Sequence, residues 1–240
     1  MNSKFSIPCI LIILCLIFYN FSFSNLSGNV FYDSEDKLWA HRVLDTNNID
    51  DLSREFRGFE LDVYFNVELD CFDVKHHGDR SDLKLSEYFK AIEDLDSIKL
   101  WIDFKNLNLE NTDVSIRLLS SLCTQYNIKS HVIIESKQIH LLSKFKEAGF
   151  YISYWLPSFH YLKSIVNIFK IKNNLIEFKP DVISMPYSSV SFYSKKFPNY
   201  PIHCWTNGMT DEKDKLRIED LGKIKNVKVI LTDFKENFLK

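Results

Sequence analysis

The chain predicts a single-domain α/β fold, a closed (β/α)8 barrel with an extra short strand or hairpin after its second strand. Three observations carry that expectation. Eight apolar runs of strand length recur along the chain, segments of helical periodicity separate them, and polar residues capable of chemistry collect where the runs end.

The strand-like runs are Leu38–Val43, Gly58–Phe65, Lys99–Lys105, His131–Glu135, Phe150–Trp155, Val182–Pro186, Ile202–Trp205 and Val227–Thr232. Between the first two, Ile49, Leu52 and Phe56 share one helical face; Tyr88, Phe89, Ile92 and Leu95 make the next. Ile116, Leu119 and Leu122 form a third, with Thr112 and Asp113 as starting signals, and Leu141, Leu142 and Phe145 a fourth, stopped by Gly149. Ile165, Ile168 and Phe169 belong to a fifth helix, residues 188–197 to a short irregular one, and Leu216, Leu221 and Ile224 to the last. Such alternation implies parallel strands joined by helical crossovers. The run FDVKHH (72–77) follows Phe65 too closely for a crossover and reads as an excursion in the loop after the second strand. No Gly-rich phosphate loop follows the first strand, which argues against an open doubly wound sheet.

Composition narrows the function classes. The 240 residues are 45% hydrophobic and 26% charged with a net charge of −2, which suits one sizeable core. No basic stripe interleaved with aromatics is present, so a nucleic-acid partner is not expected. Residues 1–24 stand apart: one lysine, an apolar stretch over 5–23, then Ser22 and Ser24 in small-x-small spacing. That is the layout of a secretory signal peptide or, left uncleaved, of an N-terminal membrane anchor. Either way the remainder is exported, to a periplasmic or extracellular place or to a membrane face outside the cytoplasm, with 25–37 as a linker and 38–240 as the barrel. Cys71, Cys123 and Cys204 lie outside the leader, an odd number with no CxxC spacing; they read as small buried hydrophobes, with one disulfide and a leftover thiol as the alternative in an oxidising compartment.

Barrel chemistry sits at the C-terminal ends of the strands. In GFELDVYF the period of two puts Glu60 and Asp62 on one strand face and Phe59, Leu61 and Val63 on the other. Two carboxylates on one face repel unless a cation lies between them. Asp103 ends the third strand, and the three hard oxygen ligands suit Mg2+ or Ca2+. Lys105, two residues on, and Arg42, after the first strand, add the cations that hold a phosphate. Histidines supply the proton transfers of phosphate-ester cleavage, one accepting from the attacking hydroxyl and one donating to the leaving oxygen. Glu135, His203 and Asp233 fall near other strand ends and are candidates for supporting positions. Trp205 either stacks on substrate or fills the barrel top.

Taken in order, AHR (40–42), FELDV (59–63), the run to His76, DFK (103–105), WT (205–206) and ILTDF (230–234) resemble the glycerophosphodiester phosphodiesterase superfamily of PLC-like TIM barrels. The resemblance covers nearly the whole chain after the leader. It implies that His41 and His76 are the acid–base pair, that Glu60, Asp62 and Asp103 ligate the divalent cation, and that Arg42 and Lys105 hold the phosphate of a glycerophosphodiester or phospholipid-derived substrate. The third ligand is Asp where Glu is usual, and Val43 replaces the usual Gly after HR. Both features resemble the sphingomyelinase-D-like and FAM151-like branches, leaving the substrate open. His77 is the alternative to His76; His76 is preferred because it shares a face with Phe72 and Val74, which is expected to aim it into the barrel mouth. A catalytically silent binding barrel and a metal-independent phosphatidylinositol-type lyase are the competing readings.

Overall fold

The computed structural model describes residues 22–207 and 212–233. The strands are β1 (Leu38–Ala40), β2 (Gly58–Asn66), β3 (Cys71–Val74), β4 (Lys99–Phe104), β5 (Val132–Ser136), β6 (Tyr151–Trp155), β7 (Val182–Pro186), β8 (Ile202–Trp205) and β9 (Val227–Thr232). They hydrogen-bond in the order β1-β9-β8-β7-β6-β5-β4-β2-β3, and a β1–β2 pairing closes the ring. Every pairing within the ring is parallel; β3 runs antiparallel on β2, outside it. The expected (β/α)8 barrel and its extra strand are both present. The helices are α1 (Ile49–Glu55), α2 (Leu85–Ala91), α3 (Thr112–Gln125), α4 (Ile139–Glu147), α5 (Tyr161–Phe178), α6 (Tyr187–Lys196) and α7 (Glu212–Gly222).

Strand alternation sorts the apolar residues into two layers. Phe59, Leu61, Val63, Leu100, Ile102 and Ile134 face outward and pack under the helices. Trp39, Trp101, Ile133, Val182 and Val229 face inward and fill the barrel. Gly58 makes room for this filling, since a Cβ there would lie 2.1 Å from the Trp39 ring. β1 stops at Ala40 rather than Val43 because Arg42 adopts a left-handed backbone (φ 52°) that an extended strand cannot continue.

Residues 25–37, expected as a linker, lie as a strap across the N-terminal floor of the barrel. Phe31 is buried with the interior set and meets Trp39, Tyr151 and His203 at ring distances of 6.2, 5.0 and 6.4 Å. Gly28 passes so close to the Asp181 carbonyl that a Cβ would sit 2.0 Å from its oxygen. Just ahead of the strap, Phe23 is buried and stacks on Phe197 at 5.5 Å. Residues 1–21 of the expected leader lie outside the described residues. Among the described residues no helix is long and apolar enough to cross a membrane. Cys71, Cys123 and Cys204 are all free thiols, the last two buried.

Candidate active site

Inward alternation brings Glu60 and Asp62 to the upper interior of β2, and strand register extends the row sideways. Asp62 pairs with Asp103, Asp103 with Glu135, and Glu135 with Ser153. Glu60, Asp62 and Asp103 are all buried, and each offers a carboxylate oxygen within 4.8 Å of the other two. Burial, then the charges of Asp62 and Asp103, push the Glu60 carboxyl well above its ordinary range; Lys105 and the Arg42 N–H offset only part of this. Burial likewise raises Asp103 to about 6, against the opposing pull of Lys105. The Lys105 ammonium bonds Asp62 Oδ1 at 2.7 Å and also Asp103. Burial alone would lower that ammonium, but Asp103 and Asp62 outweigh it and hold it above its usual value.

Asp62 Oδ2 is buried and accepts no hydrogen bond. A lone buried carboxylate oxygen, beside two more carboxyls that resist ionisation, is a donor set in want of a cation. The chemistry therefore fits a divalent ion held by Glu60, Asp62 and Asp103.

His41 follows β1 and is buried. Its Nδ1 meets Asp233 Oδ1 at 2.7 Å, and its Nε2 lies 3.7 Å from Glu60 Oε2. A carboxylate only accepts, so the Asp233 contact assigns the proton to Nδ1 and turns the Nε2 lone pair toward the carboxylate cluster. The left-handed turn at Arg42 has a local function: its backbone N–H donates to Glu60 Oε2 at 2.9 Å. Glu135 takes hydrogen bonds from Ser153 Oγ (3.1 Å) and Ser184 Oγ, all three groups being buried. Burial and the neighbouring Asp103 lift its carboxyl to about 8, so at neutral pH it is mostly a neutral acid.

His41, Arg42, Glu60, Asp62, Asp103, Lys105, Glu135 and Trp205 thus surround one cleft of about 90 Å3, together with Trp101, Trp155, Asn207 and Leu231. His76 sits at its edge, half-exposed, with Nε2 3.9 Å from Asp62 Oδ2. The reason expected for this placement was wrong. Phe72 and Val74 face the outer helix layer, paired with Phe65 and Val63, so sharing their face would carry a residue away from the mouth. β3 ends at Val74; Lys75 N–H then bonds the Asp62 carbonyl at 3.1 Å, and the chain leaves the strand at the level of the cluster. His77 points elsewhere, its Nδ1 3.4 Å from the Tyr64 hydroxyl.

His203 does not join the site. It is fully buried lower in the barrel, 5.1 Å from the Trp101 ring, with no hydrogen-bond partner at either nitrogen, and burial pushes it down to about 3. Sequence reasoning missed Trp155, which stands edge-on to Trp205 at 5.2 Å and helps line the cleft. Its position at the C-terminal end of a strand, two residues after Ser153, was the available signal.

No protein-family model matches the chain, and no curated protein sequence matches it. Solved structures do. A glycerophosphodiester phosphodiesterase from Parabacteroides distasonis superposes with a TM-score of 0.63 at 18% identity, over 83% of this chain and 93% of that one. An Oleispira antarctica phosphodiesterase in complex with the product sn-glycerol-3-phosphate gives 0.61 at 11%, over 85% and 94%. Orotidine 5'-monophosphate decarboxylase from Sulfolobus solfataricus gives 0.51 at 12%, over 82% and 87%. Neighbours this distant share the barrel with the chain, and a barrel that also serves a decarboxylase leaves the chemistry to be read from the site.

Proposed function

We propose that the chain is an exported, metal-dependent phosphodiesterase that cleaves a glycerophosphodiester or a phospholipid head group. The observation that carries this reading is the buried Glu60–Asp62–Asp103 cluster with an Asp62 oxygen that accepts no hydrogen bond, facing a histidine whose tautomer Asp233 sets. A divalent ion such as Mg2+ or Ca2+ bound there would offset negative charge developing on the phosphoryl oxygens. Lys105 and Arg42 bring further positive charge to the same cleft and orient the diester. His41 Nε2 accepts the proton of the attacking hydroxyl, and the resulting imidazolium is stabilised by Asp233. His76, on the Asp62 side of the cluster, donates to the leaving oxygen. Trp155 and Trp205 wall one side of the cleft and bound the space the diester can occupy. Phosphodiesterase structures among the neighbours, one holding sn-glycerol-3-phosphate, support a diester as substrate. The apolar leader supports export, and its stretch ahead of the buried Phe23 would supply a membrane contact if it is retained.

The decisive experiment is hydrolysis of glycerophosphodiesters by the full chain with Mg2+, Ca2+ or chelator, alongside isothermal titration with each ion. Metal-dependent turnover that is lost in His41→Ala is expected. Absence of both divalent binding and turnover overturns the reading in favour of a binding barrel.

A further inference from the structure

The cleft continues sideways into a groove whose charge has the wrong sign for a choline head group. Beyond Lys105, past the His76 edge, a space of about 310 Å3 opens and shares Lys137 and Trp155 with a second space of about 470 Å3. A leaving group protonated from His76 departs into the first of these. Its charged lining is Lys105, Lys137, His76, His77 and the Lys105-paired Asp103; the second adds Lys170 and no acid.

Two further observations set the selectivity. Lys137 and Lys170 have no carboxylate within ion-pair distance among the described residues; the one acid that feels Lys137 from further off is Asp103, which Lys105 already holds, so the net charge of the groove wall is positive. Recognition of a quaternary ammonium needs an aromatic face free of competing cations, and neither Trp155 nor Tyr64 in the first space is free of one: the Lys75 ammonium lies 5.7 Å from the Tyr64 ring centre. The Lys137 ammonium lies 4.2 Å from the Trp155 ring centre and the Lys105 ammonium 5.5 Å, while Trp205 abuts it edge-on. The protein has already spent this aromatic surface on its own cations.

Resting on the diesterase reading, we infer that the groove selects diesters whose leaving head group carries an extra negative charge, a carboxylate or a second phosphate, and rejects choline-type head groups. Lys137 is the specificity-determining residue, placed over Trp155 to meet that anion, and Lys170 reinforces it from the far wall.

The test is a tryptophan-fluorescence titration of the full chain, in detergent with Mg2+ or Ca2+, against glycerophosphoserine and glycerophosphocholine. Binding at least about tenfold tighter for the serine diester is expected, and Lys137→Glu should abolish or invert the order, with Lys170→Glu acting in the same direction more weakly. Lysophosphatidylserine against lysophosphatidylcholine must show the same order if the charged group arrives on a lipid; preference confined to the deacylated pair assigns a free ligand. Equal affinities, a choline preference, or no binding of any of the four overturns the inference. Hydrolysis of bis(p-nitrophenyl) phosphate by the unmodified protein, which has no charged head group to select, separately tells whether diester cleavage itself fails.

Discussion

The two ends of this barrel are built on opposite principles. At the floor, Phe31, Trp39 and Tyr151 pack ring against ring, and the strap closes over them. At the rim, within a few residues along the same strands, three carboxylates are crowded together without enough positive charge to settle them. Burial stabilises the first arrangement and strains the second. The difference teaches that stability and chemistry are segregated along the barrel axis, so substitutions at the two ends should separate cleanly into losses of folding and losses of rate.

The largest expected effect is at the rim. His41→Ala should lower kcat by about 10³-fold, within the range for a lost general base, while thermal unfolding moves little. A comparable fall in melting temperature would show that the histidine holds the fold together and break the contrast. At the floor, Phe31→Ala should cost about 3 kcal/mol of stability by opening the plug, with kcat on a diester nearly unchanged. Denaturant unfolding and steady-state kinetics on the same preparation read both.

The rim itself can be divided more finely. His76→Ala should reduce kcat about 100-fold, and His77→Ala by no more than about threefold, because only His76 is near Asp62. The reverse order would mean that the loop after β3 presents the other ring in solution.

The smallest effect is on pH dependence. Glu60 and Asp103 have folded-state values raised above their unfolded ones, as does Glu135 at about 8. For such groups the folded state holds protons more tightly than the unfolded chain, so their favourable contribution is complete below the ordinary carboxylate range and is lost as pH rises through the folded values. Metal-free protein should therefore melt progressively lower between about pH 5 and pH 8, and a divalent ion should raise the midpoint more at pH 8 than at pH 5. A flat profile in chelator would show that the cluster is not under the strain described.

How much of this was legible in the sequence follows the same axis. The ranges Val182–Pro186, Ile202–Trp205 and Val227–Thr232 emerge unchanged as β7, β8 and β9, because buried parallel strands write themselves as compact apolar runs. Glu60 and Asp62 were placed on one face by alternation alone, and that face is the inner one. Alternation failed at His76, where the strand ends two residues early and a backbone bond from Lys75, not side-chain parity, sets the position. It could not reveal the strap, since Phe31 sits in an aperiodic stretch whose partners Tyr151 and His203 lie more than 100 residues away. Nor could it show that His203, with the same parity as Trp205, would stop one layer short of the cleft.

The strap also fixes an order of assembly. It is among the first described residues to be synthesised, and although Trp39 follows it closely, Tyr151, Asp181, Asn199 and His203, which also anchor it, are made late. Until β8 exists there is no floor for Phe31 to enter, and until the ring closes through β1 and β9 there is no interior to seal. The docking of Phe31 therefore has to follow those late elements, a closing event rather than a nucleus. That order makes the last step of the barrel's folding a latch thrown by residues near the start of the described chain.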